Sequence, residues 1–402
     1  KNGKSGAHRC PRPRGRRPAG ALLGCALAAS LTVTAPAVAQ AASPGVALPV
    51  PVVPSSSTPG AQTLPGNAFR IAQIDAALVT VRDAVEIGVG ADEIGVNGAY
   101  FRVHHFARQG AAPMPVLSAI ASRTKHIEVG TGVIDMRYET PLQLAEEAAA
   151  LDLISEGRVA LGVSRGSPEP ALRGWEAFGH TGARDPRGAD IAREHFDTFM
   201  SAIRGDQVVD ADPTQGPTGR LRVEPHSPGL DRRIWWGAGS RETAEWAARQ
   251  GVNLMSSTLL TEATGAPFGE LQREQIDLYR AAWREAGHGW SPRVSVSRSI
   301  FPIVSDLDRH FFGLQGQGSD QVGIIDGFRS TFGKTYAAEP DQLVEQLKAD
   351  PAIEAADTVM LTIPSQLGVD YNLHILEAFA QHVAPELGWR RNSDGPVAPI
   401  PA

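Results

Sequence analysis

Residues 124–169 read TKHIEVGTGVIDMRYETPLQLAEEAAALDLISEGRVALGVSRGSPE, two short apolar runs separated by one helix-length segment. Residues 127–134 (IEVGTGVI) are rich in β-branched side chains and show no polar alternation, the pattern of a strand buried on both faces. Thr140-Pro141 opens a helix over 141–154, because proline's fixed φ and missing N–H suit the first helical position. Residues 158–163 (RVALGV) form a second buried strand that ends at Ser164-Arg165-Gly166-Ser167. Strand, helix and strand in this order make a βαβ unit with parallel strands.

The alternation continues on both sides. Residues 70–90 carry apolar side chains at helical spacing, 94–103 (IGVNGAYFRV) read as a strand and 115–122 as a short helix. Downstream, helices at 188–204, 241–250, 268–287, 339–349 and 371–384 alternate with strands at 233–238 (RIWWGA), 252–256 (VNLMS), 293–304 (RVSVSRSIFPIV) and 357–363 (DTVMLTI). Seven strands, each with a helical partner, imply an α/β fold with a parallel sheet. An eighth strand closes such a sheet into a (β/α)8 barrel, and 45–53 (GVALPVPVV) is the candidate for it. Two excursions, 205–232 and 305–338, read as insertions after strands 4 and 7 and as linings of a substrate pocket. An open doubly wound sheet is the alternative. Against it, Gly130-Thr131-Gly132 and Gly237-Ala238-Gly239 lack the third glycine of a dinucleotide fingerprint.

The 402 residues are 42% apolar and 20% charged, which excludes a globally disordered chain and a disulfide-rich miniprotein. The net charge of −6 does not suit nonspecific nucleic-acid binding. Seven basic residues and no acidic one fall in 1–42, leaving 31 basic and 44 acidic residues elsewhere. That segment also holds both cysteines, Cys10 and Cys25, so thiolate chemistry is absent from the rest. The histidines show no metal-ligand spacing, and no metal is expected. Residues 1–42 read as signal-like or as a miscalled start: basic residues, then an apolar run over 19–39 ending in Ala37-Val38-Ala39. The location follows as cytoplasmic, with export through a twin-arginine signal at Arg16-Arg17 or the general secretory route as the alternative. Residues 43–66 read as a Pro/Ser-rich linker holding strand 1, 67–390 as the barrel domain and 391–402 as a tail.

Four stretches together resemble the luciferase-like flavin-dependent monooxygenase family: Val103-His104-His105-Phe106, residues 124–169, WEAFGH at 175–180, and IWWGAGSRETAEWAARQGVNLMSS at 234–257. The resemblance spans about residues 70–390 and implies a barrel that binds flavin at the C-terminal ends of its strands. It implies a reaction of reduced FMN and dioxygen with a small organic substrate, a separate flavin reductase and a homodimer. A deazaflavin coenzyme used for hydride transfer is the alternative cofactor, and an exported non-catalytic binding protein the alternative from another class.

Arg165, at a strand end and before a Gly turn, offers a guanidinium fork for phosphate, and the resemblance assigns it the flavin phosphate. Ser164 and Gly166 flank it. Gly239, Ser240 and Thr243 lie at the start of helix 241–250, where an N-cap and an anion site coincide, with Arg241 as an added charge. Gly130, Thr131, Gly132 and Val133 end a strand with small residues that admit a flat ring, near a point where relatives carry a non-proline cis bond. Ser256 and Ser257 end another strand and are further candidate flavin contacts. His104 and His105 point to opposite sides of their strand; the resemblance makes His104 the proton-transfer residue and leaves His105 structural. Val103 stands where the family has an acidic residue. Asp135, Arg137 and Tyr138 are candidate pocket residues, Arg298 either faces the mouth or pairs with a helix, and Trp235 and Trp236 read as packing.

Overall fold

The computed structural model describes residues 70–72, 81–107, 110–166, 169–325 and 327–396, with the backbone alone at 70–72. Eight parallel strands close into a barrel in sequence order: β1 Arg70–Ala72, β2 Gly98–Phe101, β3 Glu128–Asp135, β4 Val159–Ser164, β5 Ile234–Ala238, β6 Asn253–Ser256, β7 Val294–Arg298 and β8 Thr358–Leu361. Closure runs through the register Arg70↔Thr358, Ile71↔Val359 and Ala72↔Met360. Helices α1 Val81–Ile94, α2 Pro113–Arg123, α3 Pro141–Ile154, α4 Ala189–Arg204, α5 Arg241–Gln250 and α6 Phe268–Ala286 follow the first six strands. After β7 come α7 Asp306–Phe312, α8 Pro340–Lys348 and α9 Pro351–Ala355, and α10 Gly368–His382 follows β8. Proline starts α2, α3, α8 and α9, as its geometry favours.

The first strand corrects the sequence reading. The candidate at 45–53 lies outside the described residues, and the barrel position next to β8 is filled by Arg70–Ala72. The sequence pattern assigns that segment to the start of a helix, whereas α1 begins only at Val81. The strand is three residues long, too short to show a period of two.

Inside the barrel, Tyr100, Ala160, Trp235, Met255 and Met360 form one packed layer drawn from five strands, and Val133 packs against it. Arg293 and Glu128 pair with two hydrogen bonds of 2.8 and 2.9 Å, and the Arg293 guanidinium lies 4.6 Å from the Trp235 ring centre. Trp236 faces the other way, against Phe196 and Trp246. Both tryptophans are packing residues, as the sequence suggested.

The end of α3 works at the opposite face from the strand C-termini. Arg158 donates to the carbonyls of Ala121, Thr124, Ile127 and Ser155, tying α2 and α3 to the start of β3. Asp152 accepts from Ser227 (2.5 Å) and from Arg233. Ser227 belongs to the 205–232 segment, which joins α4 to β5 and so runs along the face where strands begin. It therefore does not line a pocket at the strand C-termini, contrary to the sequence expectation. The segment that does is 165–188, between β4 and α4. The second excursion follows β7 as expected, though the strand read at 293–304 breaks into β7 and Ile300–Pro302. The excursion contains an antiparallel pair, Gln321–Ile325 with Phe328–Phe332, joined by Leu259–Leu260 from the β6–α6 loop. Arg187 of the first insertion lies 5.0 Å from the Phe328 ring centre, so the two insertions meet.

Candidate active site at the strand C-termini

His104 extends β2 and is 6% exposed. Arg102, two residues earlier on the same side of the chain, donates from Nε to His104 Nε2 at 2.9 Å. An arginine Nε–H only donates, so His104 Nε2 accepts and the ring proton sits on Nδ1. Nδ1 in turn faces Glu169 Oε1 at 3.1 Å. His105 points the other way, stacked on Tyr138 with centroids 4.0 Å apart and edge-on to Phe178. Burial lowers its pKa and keeps it neutral, the structural role expected.

The glycine-rich end of β3 divides into two roles. A side chain at Gly130 would come within 2.0 Å of the Ala160 carbonyl, so this glycine serves strand packing. Thr131 is fully buried and donates to the Gly162 carbonyl at 2.6 Å, so its hydroxyl is used by the barrel wall. Gly132 is different: a Cβ there would meet only Tyr100 Cβ, at 3.8 Å. The Gly132–Val133 peptide bond is cis, at the point the family resemblance indicated. Across the mouth, a Cβ on Gly237 would sit 3.2 Å from Val133 and 3.4 Å from Ser164. Gly237 thus packs against Val133 and Ser164, Gly132 lies open beside Tyr100, and these small residues make a cradle next to the Tyr100–Trp235 layer.

Ser164 Oγ accepts from Gly166 N at 2.7 Å and holds the turn that carries Arg165. Gly166 has φ +81°, and a Cβ on it would lie 2.0 Å from Asp135 Oδ2, so glycine is required on both counts. The register Gly162↔Trp235 and Val163↔Trp236 places Arg165 beside the β5–α5 turn. There Ser240 caps α5, accepting from Thr243 N at 3.2 Å and donating to Thr243 Oγ1 at 2.9 Å. Gly239 keeps this turn open, with 3.8 Å to the nearest atom a Cβ would meet. Arg241 does not contribute charge here. Its guanidinium is held by Glu262 (2.6 Å) and Glu274 (2.5 Å).

Two further expectations are corrected, at Ser256 and at Asp135 with Arg137, and for Arg298 the second of its two alternatives holds. Ser256 is on the helix side of β6: it donates to Gln275 (2.6 Å) and accepts from Gln272 (2.8 Å), leaving it no part in the mouth. Arg298 also faces the helices, paired with Asp350 at 2.8 Å. Asp135 and Arg137 are a buried ion pair rather than pocket lining. Arg137 also donates to the Arg187 carbonyl and lies 4.7 Å from the Trp175 ring centre, fastening the 165–188 insertion. Tyr138 is buried beneath that insertion, and burial raises its pKa to about 12.

The next residue, Glu139, is half-buried. Burial, with Glu147 and Asp135 adding repulsion, raises its pKa from the usual 4.5 to about 7. The fold favours its protonated form, so its contribution is complete below pH 4.5 and is lost as pH rises through about 7. Glu139→Gln should flatten that part of the stability profile. The check is the difference in Tm between the two proteins across this window; a constant difference would contradict it.

Sequence reasoning missed Arg102 and Glu169. The period of two along β2 puts Arg102 on the His104 side. Glu169 lies four residues after Arg165 but 65 from its partner, so only the folded insertion reveals it.

The luciferase-like monooxygenase family profile matches residues 57–309. The chain is 28% identical over 187 residues to the oxygenase component of a flavin-dependent trigonelline monooxygenase from Acinetobacter baylyi, covering 44% of this chain and 48% of that protein. It is 30% identical over 182 residues to an F420-dependent glucose-6-phosphate dehydrogenase from Amycolatopsis mediterranei, covering 42% and 51%. The matches thus span about half the length of these relatives. Among solved structures, monooxygenase RslO1 from Streptomyces bottropensis superposes with a TM-score of 0.59 at 19% identity, over 79% of this chain and all of that one. Eight closed strands, a glycine cradle at their C-terminal ends and a family match over most of the barrel lead to one assignment: the chain belongs to the luciferase-like monooxygenase family.

Proposed function

We propose that the protein is a monooxygenase using reduced FMN and dioxygen on a small organic substrate. The observation that carries this reading is the cradle of Gly132, Val133, Ser164 and Gly237, bounded by Arg165 and the capped start of α5 and served by a buried histidine. Arg165, Ser240, Thr243 and the α5 amides suit the phosphate, because a helix start and a guanidinium both favour an anion. The open faces of Gly132 and Gly239 suit close approach of the cofactor. Bound reduced FMN supplies the electrons that activate dioxygen. The chain orients it, limits water at the mouth through the two insertions, and exchanges a proton at His104 Nε2. The name of the trigonelline relative, an oxygenase component, supports a separate reductase as partner. This reading places the protein in the cytoplasm, where reduced flavin is supplied.

The match to an F420-dependent dehydrogenase supports a second reading, hydride transfer with a deazaflavin. Titration of the protein with FMN and with F420, followed by fluorescence, separates the two. FMN preference is expected, and F420 preference overturns the oxygenase reading. Arg165→Ala should weaken FMN binding by about 1.5–3 kcal/mol, the value of a charged hydrogen bond. That is roughly a 10- to 150-fold rise in Kd. Unchanged affinity would remove Arg165 from the site.

A further inference from the structure

We propose that Glu169 is a positioning residue for His104, fixing the Nδ1–H tautomer so that Nε2 is the nitrogen that exchanges a proton. The proposal rests on the function above. Both ring nitrogens of His104 are engaged, and their partners are of opposite kind. Arg102 can only donate, so it demands a bare Nε2. A carboxylate only accepts, so Glu169 demands a protonated Nδ1. The two constraints agree on one tautomer. For Nε2 to take a proton, Arg102 Nε must give up its hydrogen bond; Glu169 need not move, and its negative charge then faces the imidazolium.

Glu169 is not supplied by a barrel strand. It comes from the insertion after β4, and that insertion is fixed at several points. Arg137, itself paired with Asp135, reaches the Arg187 carbonyl at 3.0 Å. His180 Nε2 contacts the Tyr138 carbonyl at 3.2 Å, and Phe178 packs edge-on to His105 and Tyr138. The carboxylate is therefore delivered by a seated cover, and its placement depends on the cover rather than on β2.

The cost of this arrangement is visible. The Glu169 side chain is 3% exposed, and its Oε2 has no hydrogen-bond partner among the described residues. A buried carboxylate with one oxygen unsatisfied is unfavourable for folding alone. Beside a histidine that exchanges a proton, the same carboxylate is useful, since it accepts from Nδ1 and holds the orientation of the ring.

The test is nitrogen NMR of the flavin-free protein carrying labelled histidine, which reports the tautomer of His104 without any turnover. The wild type should show Nδ1 protonated and Nε2 bare. Glu169→Gln, whose amide oxygen still accepts, should keep that signature. Glu169→Ala should weaken it, giving a mixture of tautomers because only the Arg102 bond then favours a bare Nε2, with circular dichroism and FMN affinity unchanged. Glu169→Met, of similar length and with no comparable acceptor, is the second variant and should behave as alanine does. An Nε2–H wild type, or an unchanged tautomer in Glu169→Ala or Glu169→Met, overturns the proposal. So does loss of FMN affinity in parallel with the tautomer, which marks Glu169 as structural. A wild type with the expected signature that binds neither FMN nor F420 overturns the proposed function and leaves the assignment of the tautomer intact.

Discussion

His104→Ala is expected to lower the rate of substrate oxygenation by about 10²–10⁴, the range spanned by a positioned acid–base group. FMN affinity should be unchanged, because the residues suited to its phosphate, Arg165, Ser240 and Thr243, lie at β4 and α5 rather than at β2. The fold should survive as well. Removing the ring takes one partner from Arg102 and one from Glu169, whose opposite charges then offset each other. The measurement is single-turnover oxidation of a preloaded reduced FMN with a substrate identified by screening, beside an FMN titration. Equal loss of affinity and rate would reduce His104 to a structural residue. A rate within about threefold of wild type would transfer proton exchange to another group, since so small a change lies below the contribution of a general acid or base.

The fold was legible where elements are long or sharply punctuated. The helices expected at 141–154 and 241–250 match α3 and α5 residue for residue, because Thr140-Pro141 and Ser240 mark their starts and Gly251 ends α5 in the left-handed conformation. It was not legible at β1, where three residues give no period. The excursions failed for another reason. Composition marks 205–232 as irregular, but which face of a barrel a loop occupies depends on whether it follows a strand or a helix. Residues 205–232 follow α4, so they lie with the strand N-termini; 165–188 follow β4 and cover the mouth.

The site divides in the same way. Backbone-driven features were readable: the open glycine at 132, the cap at Ser240 and the turn at Gly166 each follow from local chain geometry. Side-chain direction was not. Ser256 sits at a strand end like Ser164, yet its hydroxyl is bound by Gln272 and Gln275 of α6. Asp135 ends β3, Arg137 follows two residues later, and they spend their charges on each other. Long-range partners decide such cases. The diagnostic stretch 124–169 serves both ends of the barrel, with Arg158 binding α2 and β3 at one face and Arg165 at the other.

Asp350→Ala should cost about 3–5 kcal/mol of stability, the usual consequence of removing one partner of a buried ion pair. Asp350 is 5% exposed and gathers four hydrogen-bond donors among the described residues. Its Oδ2 accepts from Arg298 Nε at 2.9 Å and from Tyr336 Oη at 2.8 Å, and Arg298 Nη2 stands 2.8 Å away as an ion-pair contact. Its Oδ1 caps α9 through Ala352 N at 2.9 Å and Ile353 N at 3.4 Å. Alanine removes the cap and leaves the Arg298 guanidinium buried with Gln272 Oε1 and the Ser297 carbonyl as its acceptors among the described residues. Neither carries a compensating charge. The Tyr336 hydroxyl, whose pKa burial and Asp350 raise well above normal, also loses its acceptor. Denaturant unfolding of the two proteins gives the difference directly. The double variant Arg298→Met/Asp350→Leu should be less destabilised than Asp350→Ala, because it removes the orphaned charge together with its partner. Were the double variant the worse of the two, the penalty would come from packing and the cap rather than from the stranded guanidinium. Since Arg298 ends β7 and Tyr336 closes the second excursion, loss at Asp350 should also loosen that insertion over the mouth. Faster amide exchange at 321–332 would report it before global unfolding.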